Sequence, residues 1–207
     1  TVSDITANEC KYLLGREVTR ITPNGFENGF VPEAKKLAKK REEARAKLLE
    51  VATATWDYNF QPDTLIVGTS GRYEYRNKGI DVFLESLKQL ATSNINRDVL
   101  AVIAVPAANM GARQDLAKHL ENKENAIEPA QKRYLSHQLE YENWDQVSQS
   151  VEGSILSTTA SRVKVLFVPT YLNGKDGIFN MPYYDLLAGM DLTVFASYYE
   201  PWGYTPL

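Results

Sequence analysis

Apolar residues in this chain form short continuous runs, separated by stretches where they recur at helical spacing. Thr64–Thr69, Val99–Val105, Val163–Val168 and Leu192–Ala196 are the runs. Each has strand length and lacks alternation, as expected of strands covered on both faces of a parallel sheet. Between them, the spacing predicts a long helix over Pro32–Thr55, with Leu37, Ala44, Leu48 and Val51 as its apolar stripe. A second helix is predicted over Ile80–Leu90, carrying Val82, Phe83, Leu87 and Leu90, and a short one over Pro182–Ala188, stopped by Gly189. Upstream, Ser3 caps a helix that ends at Leu14 before Gly15. Val18–Thr22 reads as a strand and Pro23-Asn24-Gly25 as a turn. This alternation predicts an open, doubly wound α/β fold with right-handed crossovers. Ligands in such sheets bind beyond the carboxyl ends of the strands.

The interval 107–161 breaks the rhythm. Two polar helical segments are expected there, over 111–122 and 129–151, where the alternation calls for one compact helix. Tyr134, Leu135, Leu139, Tyr141 and Trp144 would give the second an aromatic-rich side. A projecting pair of this kind either covers the domain or meets another subunit. His119 and His137 lie here without metal-ligand spacing, and read as helix-surface or packing residues.

Composition narrows the function classes. Hydrophobic content of 43% and charged content of 24% suit a globular domain. A net charge of -3 argues against a nucleic-acid-binding surface. The basic clusters Lys35-Lys36 and Lys39-Lys40-Arg41 are interleaved with Glu33, Glu42, Glu43 and Glu50, so a solvated helix face is favoured over a phosphate patch. One cysteine, Cys10, excludes an internal disulfide framework and suits a reducing, cytoplasmic location. No stretch approaches the roughly 18 apolar residues that span a bilayer, and Thr1-Val2-Ser3-Asp4 does not read as a signal peptide.

The candidate chemistry sits in loops that follow the strands. After the first run come Arg72 and Lys78; after the last comes Glu200, among Tyr198, Tyr199, Pro201, Trp202 and Gly203. Arg and Lys beyond a strand end form a natural diphosphate site. Equally, Arg72 and Lys78 could simply pair with Glu74 and Asp81. Glu200 could be a hydrogen-bonded carboxylate in a structural loop. There is no Gly-x-x-x-x-Gly-Lys loop, no Gly-x-Gly-x-x-Gly fingerprint and no Asp-x-Asp pair for a metal. Neither a metal nor a cofactor is expected; cationic side chains would carry the electrostatic work.

Two stretches are long enough to be specific. Gly71-Arg72-Tyr73-Glu74-Tyr75-Arg76-Asn77-Lys78-Gly79 and Tyr198-Tyr199-Glu200-Pro201-Trp202-Gly203-Tyr204-Thr205-Pro206 resemble the signature stretches of glycogen synthases of the fungal and animal type. Val2–Thr6, Thr22–Gly25 and Met181–Tyr184 fall in the same order as in that family. The resemblance implies a retaining glycosyltransferase of two Rossmann-like domains, moving glucose from UDP-glucose to the non-reducing end of an α-1,4-glucan. Residues 1–22 would then end the first domain, and 23–207 would be a truncated nucleotide-sugar-binding domain with a helical insertion at 107–161. Arg72 and Lys78 would bind the diphosphate and stabilise departing UDP. Tyr183 would stack on uracil. Glu200 would contact the donor glucose, and Trp202, Gly203 and Thr205 would close around sugar and phosphate. The family's second glutamate would fall one residue past Leu207, so a fragment without transferase activity of its own is expected.

Other implications concern regulation and assembly. Asp191 stands where regulated members carry a histidine for glucose-6-phosphate, so control through that site is not expected. The interval 107–161 falls where the family carries helices that assemble tetramers, which implies homo-oligomer contacts. Two other readings stay open. One is a related retaining enzyme that makes sucrose or trehalose phosphate. The other is a nucleotide-binding or oligomerisation module without catalysis. UDP-glucose and ADP-glucose are not distinguished as donors, because Tyr183 could stack on either base.

Overall fold

The computed structural model describes residues 1–122 and 133–203. Helix α1 (Asp4–Leu14) opens with a capping box: the Ser3 hydroxyl accepts from the Thr6 N–H at 3.2 Å, and the Thr6 hydroxyl accepts from the Ser3 N–H at 3.2 Å. Gly15 closes it in the left-handed conformation. The main body follows as α2 (Ala34–Trp56), β1 (Leu65–Ser70), α3 (Ile80–Thr92) and β2 (Val99–Ala104). Then come β3 (Asn109–Ala112), α4 (Gln114–Glu121), β4 (His137–Leu139) and α5 (Gln146–Val151). The described chain ends with β5 (Val163–Val168), α6 (Tyr183–Leu187) and β6 (Leu192–Thr193).

Strands β5, β2, β1 and β6 form one parallel sheet in that order. Progress from β1 to β2 to β5 goes outward in one direction, and the chain then returns to place β6 on the other side of β1. Strand order therefore reverses between β1 and β6, which is where doubly wound sheets open a ligand crevice.

Side chains alternate along the strands into two cores. Val99, Ala101 and Ile103 of β2, with Val163, Val165 and Phe167 of β5, pack against α3 and α5. Leu100, Val102, Leu166 and Val168 pack on the other face against α2, α4 and α6. Helices thus cover both faces, which is why β2 and β5 read as continuous apolar runs. Full burial of each large aliphatic side chain contributes about 1.5–3 kcal/mol. One polar residue interrupts β5: Lys164 is buried, with its ammonium over the Tyr58 and Trp56 rings at 4.6 and 5.4 Å. It donates to the carbonyls of Thr159, at 2.9 Å, and Ser161, and burial pushes its pKa down to about 8.

Several expectations are corrected. Val18–Thr22 forms no strand. It runs back along the N-terminus, where the Thr22 N–H donates to the Thr1 carbonyl at 2.8 Å, and the described sheets leave it no ladder partner. Leu192–Ala196 is not a buried strand: only Leu192–Thr193 pairs, on one side, and Leu192 is 53% exposed. The first helix of the interval begins later than expected, because Asn109–Ala112 pairs with His137–Leu139 in an antiparallel ladder. The expected helix over 129–151 is instead β4, a 3-10 turn (Glu142–Trp144) and the short α5; its first residues lie outside the described ones. Tertiary pairing overrides helical spacing there, since Tyr134, Leu135 and Leu139 are drawn into the core beside β5.

Candidate functional site

The loops after β1 and β6 meet at the switch point. Gly79 is the hinge of that meeting. It caps α3 with φ of 66°, and a side chain there would place Cβ 2.0 Å from the Ala196 carbonyl oxygen. Only a residue without Cβ lets the two loops approach so closely. The Tyr198 N–H then donates to the Asn77 carbonyl at 2.9 Å. This contact leaves Glu200 facing Lys78, whose ammonium donates to the Glu200 carboxylate. Both side chains are largely withdrawn from solvent, at 16% and 26% exposure.

The other predicted residues fall at different distances from this pair. Tyr183, at the start of α6, reaches the carboxyl end of β1, where its hydroxyl and that of Ser70 share a 2.7 Å hydrogen bond. Burial pushes its phenol pKa up, opposed by the Ser70 bond. Trp202 and Gly203 are half-buried, and the Trp202 indole nitrogen is buried without a hydrogen-bond partner among the described residues. Thr205 lies outside the described residues. Arg72 is not drawn in: its side chain is 79% exposed and lies 3.2 Å from the Glu74 carboxylate, as the simple charge-pairing reading anticipates. For Lys78 that reading fails, since its partner is Glu200, and Asp81 faces Arg76 at 3.8 Å.

Tyr183 at the carboxyl end of β1 and the cation–carboxylate pair in the neighbouring loops are groups that can meet an anion and a hydroxyl-bearing ligand. The matching family model is that of glycogen synthase, over residues 1–127 and 125–207. The chain belongs to the glycogen synthase family. It is 28% identical to the glycogen [starch] synthase of Neurospora crassa, over the whole chain and 37% of that relative. It is 29% identical to isoform 1 of Saccharomyces cerevisiae, covering 38% of it, and 27% identical to the human liver glycogen [starch] synthase, covering 37%. The chain therefore spans less than two-fifths of the length of these relatives. Its match to the glycogen synthase model breaks at 125–127, inside the interval 107–161.

Sequence reasoning missed the residues that anchor these loops. Tyr73, between the two cations, donates its hydroxyl to Asp145 at 2.5 Å and accepts from the Val147 N–H at 3.1 Å. Asp145 in turn caps α5, accepting from the Ser148 N–H at 2.7 Å. The loop after β1 is thereby tied to the interval 107–161. Asp145, a residue type favoured at a helix N-cap, was the legible signal for the cap; its link to Tyr73 was not. Tyr199 donates to the Glu9 carboxylate of α1 at 2.6 Å, which anchors the β6 loop from the other side. Asp191, where the family resemblance implies a regulatory histidine, accepts from the Ile66 N–H at 2.8 Å and pairs with Arg45 at 2.8 Å and with Arg41 at 2.5 Å. Burial opposes its charge, but these donors hold its pKa below the usual range.

Proposed function

We propose that this chain forms the donor-nucleotide half of a glycogen synthase, which transfers glucose from a nucleoside diphosphate sugar to the non-reducing end of an α-1,4-glucan with retention. The observation that carries this reading is the Lys78–Glu200 pair at the sheet's switch point. It supports a reading in which Lys78 meets the charge that grows on a departing diphosphate and Glu200 accepts from sugar hydroxyls. In the reaction, the bond from the anomeric carbon to the diphosphate oxygen breaks. The bonding electrons leave with UDP, and the glucan 4-hydroxyl attacks the face that UDP vacates. Its proton passes to the departing phosphate. Arg72 swings from Glu74 to share the diphosphate with Lys78. Tyr183 stacks on the base, while Trp202, Gly203 and Thr205 close over sugar and phosphate. No metal or cofactor is required by this scheme, and UDP-glucose is the donor we favour. A cytoplasmic location is part of this reading and is supported by the chain's single cysteine. Among the described residues no helix is long and apolar enough to cross a membrane.

The reading is tested by binding UDP to the chain. Isothermal titration should give saturable one-to-one binding. Arg72→Ala and Lys78→Ala should each weaken it by roughly 10- to 100-fold, as loss of a charge-assisted phosphate contact does. UDP binding that neither substitution affects refutes the site. The chain alone should transfer no glucose; transfer that survives Glu200→Ala would equally refute the assignment.

A further inference from the structure

On the donor-site reading above, one ammonium has to serve both ends of the reaction. Lys78 would hold the diphosphate of UDP-glucose and afterwards that of UDP. The two differ in charge. UDP-glucose has both phosphates esterified. UDP ends in a free phosphate, whose second ionisation near pH 6 adds about one negative charge at neutral pH. A lone cation therefore prefers UDP over the sugar nucleotide, and a site built from cations alone retains its product.

Lys78 is not a lone cation. Its ammonium donates to the Glu200 carboxylate, and the two side chains are largely withdrawn from solvent, so water and salt screen the pair only in part. The neighbouring carboxylates are engaged elsewhere. Glu74 faces Arg72 at 3.2 Å and accepts from the Asn77 amide at 2.7 Å. Asp81 faces Arg76 at 3.8 Å, and Glu9 accepts from the Tyr199 hydroxyl at 2.6 Å. Among the described residues, Glu200 is thus the carboxylate that an anion reaching Lys78 meets.

The carboxylate is also held there. The Tyr198 N–H donates to the carbonyl of Asn77, the residue before Lys78, which ties the two ends of the pair together at the backbone. Tyr199 is fixed to Glu9, and Pro201 follows with its restricted φ. An ammonium has three donors, so a phosphate oxygen joins the carboxylate on Lys78 instead of displacing it. Bound in that way, the phosphate lies close to a fixed negative charge.

We propose that Glu200 discriminates against the product: its charge, fixed on Lys78, disfavours a diphosphate with a free terminal phosphate and tolerates one whose terminal phosphate carries a sugar. With UDP the carboxylate faces the added charge and gains no partner. With UDP-glucose the terminal phosphate is less charged, and sugar hydroxyls donate to the same carboxylate. One side chain then holds the donor and hastens loss of the product. This is a like-charge penalty against the wrong ligand, separate from contact with the right one.

Isothermal titration of the 207-residue chain with UDP and with UDP-glucose tests this. Glu200→Gln removes the charge and keeps an acceptor for hydroxyls. UDP should bind that variant about tenfold more tightly than the parent, the size of one partly screened charge contact, and UDP-glucose should gain less. The gain for UDP should shrink as salt is raised from about 50 to 500 mM, as a charge effect must. Glu200→Ala should tighten UDP similarly and weaken UDP-glucose relative to Glu200→Gln, because the hydroxyl acceptor is gone. The glutamine is nearly isosteric, so the test stands even where the alanine variant unfolds. If UDP binds Glu200→Gln no more tightly than the parent while Lys78→Ala still weakens it, the discrimination is refuted and the donor site stands. If UDP binding is indifferent to Lys78→Ala as well, the donor-site reading falls and the discrimination with it.

Discussion

At the residue scale, the crevice depends on a few contacts between groups remote in sequence. Lys78 and Glu200 stand 122 positions apart, and both residues were legible as candidates from their motifs. Their pairing was not, because a side chain's nearest opposite charge in sequence is Asp81 or Glu74, and only folding brings Glu200 closer. Gly79 is the most demanding position. Gly79→Ala would meet both a left-handed backbone and the Ala196 carbonyl. A loss of about 2–4 kcal/mol in urea unfolding is expected, since strain and steric clash add. UDP binding should fall with it, because the loops would no longer close. A variant as stable as the parent would show that the loops do not rely on this approach.

Elements behaved according to where their partners lay. Strands β1, β2 and β5 were legible because burial on both faces writes itself into the sequence as unbroken apolar runs. The Val18–Thr22 segment has the β-branched composition of a strand, but composition does not supply a neighbour. Strand β4 was read as helix because Tyr134, Leu135 and Leu139 fit either period. The buried residue His137 decides the matter: its ring hydrogen-bonds the Ser136 hydroxyl at 2.8 Å and donates to the Asp176 carbonyl at 2.9 Å. It is a packing residue of a strand and not on a helix surface. Burial holds its pKa below the ordinary 6.5, against the raising effect of the Asp176 carbonyl. The unfolded chain therefore takes up a proton near pH 6.5 that the folded chain refuses. Stability from neutral His137 is complete above that pH and is lost as pH falls below it. The urea midpoint should drop between about pH 7 and 5.5, and His137→Gln should flatten that slope. An unchanged slope in the variant would place the titration elsewhere.

At the scale of the whole molecule, the chain corresponds to less than two-fifths of its relatives' length, and its surface is consistent with further contacts. Helix α1 buries no residue, and Tyr12, Leu13 and Leu14 stand well exposed. The interval 107–161 is joined to the loop after β1 through Tyr73 and Asp145, so contacts made by that interval can bear on the Lys78–Glu200 pair. We expect subunit contacts through it in a longer protein that contains this chain. Light scattering of that protein should report an oligomer, and a monomer would refute the expectation.

The sequence by itself determined the layered α/β class, the helix caps at Ser3 and Gly15, and which charged residues follow the strands. These are local properties: burial on both faces, a hydroxyl three residues before an N–H, charges set after a strand. The tertiary structure alone decided that β6 returns beside β1, that Lys78 faces Glu200 while Arg72 stays outside, and that Tyr73 fastens the loop to Asp145. Those choices turn on which distant surfaces cover each other. The free energy that settles them comes from burying the two cores together, and no single stretch of the chain contains it.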